Sequence, residues 1–120
     1  MTIIKVRDYL SSSMAVSADR AEKIYIDVKK ALDNNESVEF DFTEIKLAIT
    51  AFLNIIYGKL YGLEKYSEDY INKHVKFSNT SRSILNMIED VRKNSLIYYS
   101  NREIGNRKNK YLNDSIDGDI

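Results

Sequence analysis

No cysteine occurs in the 120-residue chain, so disulfides, thiolate nucleophiles and cysteine-held metals are excluded. That composition fits a reducing compartment. Proline is absent too, which removes the residue that most often marks turns and domain boundaries. The four glycines, Gly58, Gly62, Gly105 and Gly118, stand singly, so no glycine-rich phosphate loop can form. His74 is the single histidine. It lies beside Lys73 in a polar stretch and is expected to be an exposed loop residue, without a Ser or Thr relay. Metal ligation would then fall to carboxylates. Asp33, Glu36, Glu39, Asp41 and Glu44 are dense, but they straddle a turn and alternate along a strand. Neither a metal site nor a cofactor is expected, and no enzyme activity.

Long apolar runs are also missing: no stretch approaches the roughly 20 residues that cross a bilayer. Lys5, Arg7 and Asp8 stand where a secretion signal would carry its apolar segment, so the expected location is cytoplasmic, with no membrane partner. Charge of one sign is lacking as well. Eighteen basic residues balance eighteen acidic ones, and no whole-chain field draws the protein to nucleic acid.

What is present is ordinary for a globular domain, 43% hydrophobic and 30% charged residues, and the length suits one domain. Ile3, Ile4 and Val6 suggest a first strand. Ser17 followed by Asp19 and Glu22 is helix-start chemistry, and Ala21, Tyr25, Val28 and Leu32 recur on one helical face. Asp33 to Ser37 reads as a turn, and Val38 to Phe42 as a second strand alternating with Glu39 and Asp41. A second helix is expected over 48–60, with Gly58 inside it to admit a close neighbour. Residues 64–74 read as a loop with a short helical turn, and Val75 to Phe77 as a third strand. A third helix carries Ile84, Leu85, Ile88 and Val91.

Strand and helix therefore alternate in the order β-α-β-α-β-α. This pattern is that of an α/β domain, a small mixed sheet with helices packed on it. The expected domain covers 1–100, and 101–120 reads as a polar, flexible C-terminal tail.

The joint between the second strand and second helix draws attention, because Asp41, Thr43 and Thr50 gather there without Gly or Pro. Thr50, or an earlier loop residue, can cap the helix, and Asp41 can bond loop backbone. A hydroxyl at a helix start is also a place where a phosphate is electrostatically tolerated.

The segment "VEFDFTEIKLAITAFLNIIYGKLYG" resembles the central part of STAS domains, the fold of bacterial anti-sigma-factor antagonists. It is closer still to a prokaryotic STAS-like family of unknown function. Asp41-Phe42, Thr50-Ala51-Phe52 and Gly58-Lys59-Leu60-Tyr61 carry the resemblance, and "SADRAEKIYIDVKKAL" is similar to that family's first helix. The likeness covers residues 3 to 97. It implies regulation through protein–protein contact, with a GHKL-type ATPase or anti-sigma-like kinase as partner. Laid from Asp41, the family's phosphorylated position falls on Thr50, while Ile49 and Phe52 replace its Asp and Gly. The expected partner surface is Lys46, Asn54 and Lys59 around the phosphoacceptor Thr50, on a loop shaped by Asp41 and Thr43. Two other readings stand beside it. One is a nucleic-acid-associated or mobile-element accessory protein using Arg102, Arg107, Lys108 and Lys110. The other is a homo-oligomeric structural subunit, a homodimer joined through Tyr98 and Tyr99.

Overall fold

Among the described residues, which are 1–112 for the backbone and 1–100 for side chains, the computed structural model runs from β1 (Thr2–Lys5) through β2 (Met14–Ala15) to α1 (Ala18–Asp33). It continues through β3 (Val38–Asp41), β4 (Leu47–Ala48), α2 (Thr50–Ile56), α3 (Glu68–His74), β5 (Val75–Ser78) and α4 (Arg82–Leu112). Two 3₁₀ turns, Val6–Tyr9 and Gly58–Gly62, follow β1 and α2.

β1, β3 and β5 pair in that order, parallel throughout, with Ile4 beside Phe40 and Phe40 beside Phe77. The α/β class expected from the sequence holds, with parallel pairing in place of a mixed sheet. Each return to the sheet passes through a helix, and such crossovers bring the chain back in its original direction. β2 and β4 form a second, two-stranded parallel ribbon in which Met14 lies beside Leu47 and Ala15 beside Ala48. Strands of two residues are too short to display a period, which is why the sequence pattern does not reveal them.

Helices cover one face of the larger sheet. α1 packs on β1, β3 and α2, and α4 packs on α2 and the Gly58–Gly62 turn. Strand alternation sends Ile4, Val38, Phe40 and Val75 into this core, where all four are buried. Phe40 stacks on Phe77 at 5.1 Å, and Tyr57 meets Phe77 edge-on at 4.9 Å. α1 contributes Ala21, Ile24, Val28, Ala31 and Leu32, and α2 contributes Phe52, Leu53 and Ile56. Tyr25, expected in the core, is half-buried, and Lys59 lies over its ring.

Helix starts follow local chemistry. The Ser17 hydroxyl accepts from the Arg20 N–H at 3.3 Å, Ser67 from Tyr70 at 3.1 Å and Ser81 from Ile84 at 3.1 Å. The second helix differs from the expected 48–60 span. Ala48 belongs to β4, and Tyr57 leaves helical geometry at φ −134°. The turn that follows the break packs closely on α4. A Cβ on Gly58 would sit 2.7 Å from Ser95 Oγ and 3.1 Å from Val91 Cγ1, so side chains of α4 fill the space that a Cβ would need.

Residues 68–74, read as a loop with one turn, form α3. His74 ends it half-buried rather than exposed, stacked on Tyr70 at 4.0 Å, with Nδ1–H donating to the Tyr70 carbonyl at 2.8 Å. The boundary expected at residue 101 falls within the backbone span of α4. Side chains of 101–120, including the basic residues Arg102, Arg107, Lys108 and Lys110, and the backbone of 113–120 lie outside the described residues. No helix of the described residues is long and apolar enough to cross a membrane.

Candidate functional site

Three parallel strands end at one edge of the molecule, and the loop leaving β3 builds the site there. Asp41 closes the strand and turns its carboxylate back on the chain. Its Oδ1 accepts from the Thr43 hydroxyl at 2.6 Å, the Thr43 N–H at 2.9 Å and the Asn79 amide at 2.9 Å. The Thr43 hydroxyl, then the Asn79 amide and the Thr43 backbone, hold the Asp41 carboxyl below its ordinary range. Asp41 and Thr43 thus shape the loop, and Asn79 ties it to the end of β5.

Glu44 then adopts φ 65°, a left-handed conformation uncommon for a residue with a Cβ. With the Ile45 N–H donating to the Phe42 carbonyl at 3.0 Å, the chain turns tightly toward β2. The Lys46 N–H reaches the Ser13 carbonyl at 2.9 Å and the Ile49 N–H reaches the Ala15 carbonyl at 3.2 Å, which closes the ribbon.

The ribbon has two unlike faces. Ala15 and Ala48 point inward and are buried. Met14, Val16, Leu47 and Ile49 flank them at alternating positions, so pleating directs all four outward, and they are 38% to 48% exposed. Met14 and Leu47 are partners in register, and Val16 and Ile49 directly follow the two strands.

α2 begins directly beneath this patch. Ile49 occupies the cap position without a side-chain hydrogen bond, and its carbonyl receives the Phe52 and Leu53 N–H groups. Thr50 is the first helical residue and is exposed, so it does not cap the helix as the sequence reading allowed. An aliphatic residue at the cap leaves the first N–H groups of the helix without a side-chain acceptor.

The expected partner residues are not one cluster. Lys46 and Thr50 adjoin the patch, with both side chains exposed. Asn54 is exposed one turn further along α2, where it lines a cleft against α4 together with Lys59. Lys59 is engaged: its Nζ lies 3.2 Å from both Glu22 carboxylate oxygens and 4.2 Å from the centre of the Tyr25 ring. Tyr98 and Tyr99 also part company. Tyr98 is 60% exposed, whereas Tyr99 covers Gly62 so closely that a Cβ there would lie 2.4 Å from its ring.

Sequence reasoning missed Met14, Val16, Leu47 and Ile49. A signal for them existed in the matching triplets Met14-Ala15-Val16 and Leu47-Ala48-Ile49. Each places a small residue between two large aliphatic ones, the pattern of a short strand packed closely on one face. Among the described residues no group of three or more His, Asp or Glu side chains is placed to hold a metal ion.

A small parallel sheet with helices on one face, and a loop from β3 into a short helix, define a STAS-like α/β domain. Residues 20–85 match the model of the family described as a STAS-like domain of unknown function (DUF4325), and the chain belongs to that family. No curated protein and no solved structure matches it.

Proposed function

We propose that this protein is a non-catalytic regulatory module that docks another protein through the outward face of the β2–β4 ribbon and the exposed start of α2. The observation that carries the reading is the exposure, 38% to 48%, of Met14, Val16, Leu47 and Ile49 on and directly after two paired strands. Burying a large aliphatic side chain completely is worth roughly 1.5–3 kcal/mol, so covering four half-exposed ones supplies several kcal/mol toward association. Lys46 and Thr50 border the patch and supply polar rim contacts, an arrangement common to protein interfaces. The partner suggested by the family resemblance is a GHKL-type ATPase, met in the cytoplasm.

Thr50 gives the surface a switch. Phosphorylation would add roughly −1.5 to −2 charges beside the aliphatic patch, and desolvating them on docking would oppose binding. The modified protein is then the released form.

Binding of a purified GHKL-type ATPase, measured by biolayer interferometry, tests the reading. Leu47→Glu and Met14→Glu should each weaken association by at least about tenfold, since each places a charge in a desolvated contact. Thr50→Glu should weaken it less, and Lys76→Glu, on the open face of the larger sheet, should leave it unchanged. Equal binding by Leu47→Glu and wild type would remove the ribbon from the interface.

A further inference from the structure

A cleft of about 320 Å³ opens between α4 and the end of α2 with its 3₁₀ turn, away from the β2–β4 patch. Its floor is Gly58, and a Cβ there would lie 2.7 Å from Ser95 Oγ and 3.1 Å from Asn54 Oδ1. Ser95 Oγ and Asn54 Oδ1, with Val91 Cγ1 at 3.1 Å, therefore pack directly against the glycine. Ser95 is only 6% exposed, and its hydroxyl has no hydrogen-bond partner among the described residues. A buried hydroxyl in that state is costly, so a polar atom from outside the protein belongs at this position.

The rim narrows the chemistry. Asn54 and Asn94 line the cleft, both exposed, and each carboxamide offers one acceptor and two donors. The Tyr98 ring stands 60% exposed at the mouth, held edge-on by Tyr99 at 4.9 Å. The ammonium of Lys59 is already paired with Glu22 at 3.2 Å, which leaves no free positive charge here for an anion. The volume lies at the low end of ligand pockets, about 300–1,000 Å³, and suits a single ring system.

We propose that this cleft binds a neutral nitrogen heterocycle of the purine or pyrimidine base class. Its flat face lies on Tyr98, as bases stack on aromatic side chains irrespective of sequence. Its edge of alternating donors and acceptors meets Asn54 and Asn94, the side-chain type that pairs bidentately with base edges. A polar atom of the ring meets the Ser95 hydroxyl where it lines the cleft. The site is separate from the docking patch and stands or falls independently of it.

Free adenine and free cytosine titrated into the full chain, followed by backbone and side-chain amide NMR, test the proposal. At least one base should produce saturable shifts at the Asn54 and Asn94 carboxamides and the Ser95 amide. Asn94→Ala, a surface change that leaves the fold intact by circular dichroism, should weaken binding about tenfold, the effect of losing one good base-edge pair. Leu47→Glu should leave it unchanged. No saturable shift with either base would mean that the cleft holds water only and would overturn the proposal. A response to glucose equal to that of the bases would overturn the ligand class, and base binding indifferent to Asn94→Ala would overturn the site.

Discussion

The chain builds two parallel sheets and finishes their outward faces in opposite ways. In β1–β3–β5 the outward positions are Ile3, Lys5, Glu39, Asp41, Lys76 and Ser78, five of them polar. Opposite charges sit in register there: Lys5 beside Asp41 and Glu39 beside Lys76, with the Ser78 hydroxyl donating to Glu39 at 2.7 Å. In the β2–β4 ribbon the outward positions are Met14, Val16, Leu47 and Ile49, all aliphatic. An antiparallel sheet with one wet face commonly alternates apolar and polar residues, and the larger sheet, though parallel, follows that rule on its open side. The same sequence therefore solvates one outward face with charge and leaves another greasy. Ile3, Ile26 and Ile97 are exposed elsewhere, but the ribbon sets four such side chains at adjoining positions, and the proposed docking surface rests on that grouping.

The sharpest way to break the contrast is to truncate one residue on each sheet. Phe40 is fully buried on the core side of β3. Phe40→Ala should cost about 3–5 kcal/mol, a large share of the roughly 5–15 kcal/mol that holds a domain folded. Leu47→Ala, on the open face of the ribbon, should change stability by less than about 0.5 kcal/mol. Urea unfolding followed by circular dichroism checks both. A Leu47→Ala variant as unstable as Phe40→Ala would show that the ribbon face is already covered within the chain.

Asp41 joins the two regions, and a smaller effect is expected there. It belongs to the charged face of the larger sheet, yet its hydrogen bonds to Thr43 and Asn79 aim the loop that delivers β4. Asp41→Ala should cost about 1–2 kcal/mol, the net worth of a small group of exposed charge-assisted bonds. Its pH dependence has a definite sign. The folded-state pKa is depressed by the Thr43 hydroxyl and the Asn79 amide. The contribution is therefore present above the unfolded value, about 3.9, and is lost as pH falls through the folded one. The stability gap between wild type and Asp41→Ala, constant near pH 7, should shrink below about pH 4. A gap unchanged down to pH 2 would mean that the carboxylate charge does not hold the loop.

The long elements were legible because each carries several periods of its pattern. α1 shows its stripe and its Ser17 cap, and β3 its strict alternation. Short elements were not legible. β2 and β4 owe their strand geometry to pairing with each other across more than thirty residues, which no local window contains. α2 looked longer than it is because Leu60 continues its apolar spacing, while the chain leaves helical geometry at Tyr57 and packs the Gly58–Gly62 turn on α4. At the site, the bond from loop backbone to Asp41 was readable from turn chemistry, whereas the engagement of Lys59 by Glu22 depends on how α1 and the Gly58–Gly62 turn come together.

The smallest effect separates a structural hydroxyl from one left free. Ser17 and Thr50 both stand at helix starts and differ in what their oxygens do. Ser17 lies at the cap position and accepts from the Arg20 N–H at 3.3 Å, so Ser17→Ala should cost about 1 kcal/mol in urea unfolding. Thr50 lies one residue inside α2, makes no cap bond and is exposed, so Thr50→Ala should be neutral within about 0.5 kcal/mol. Alanine's better helix propensity works in favour of Thr50→Ala by about a few tenths of a kcal/mol. A Thr50→Ala loss equal to that of Ser17→Ala would make the hydroxyl part of the fold. A neutral Thr50→Ala would place the hydroxyl outside the fold's own bonding, as the proposed switch requires.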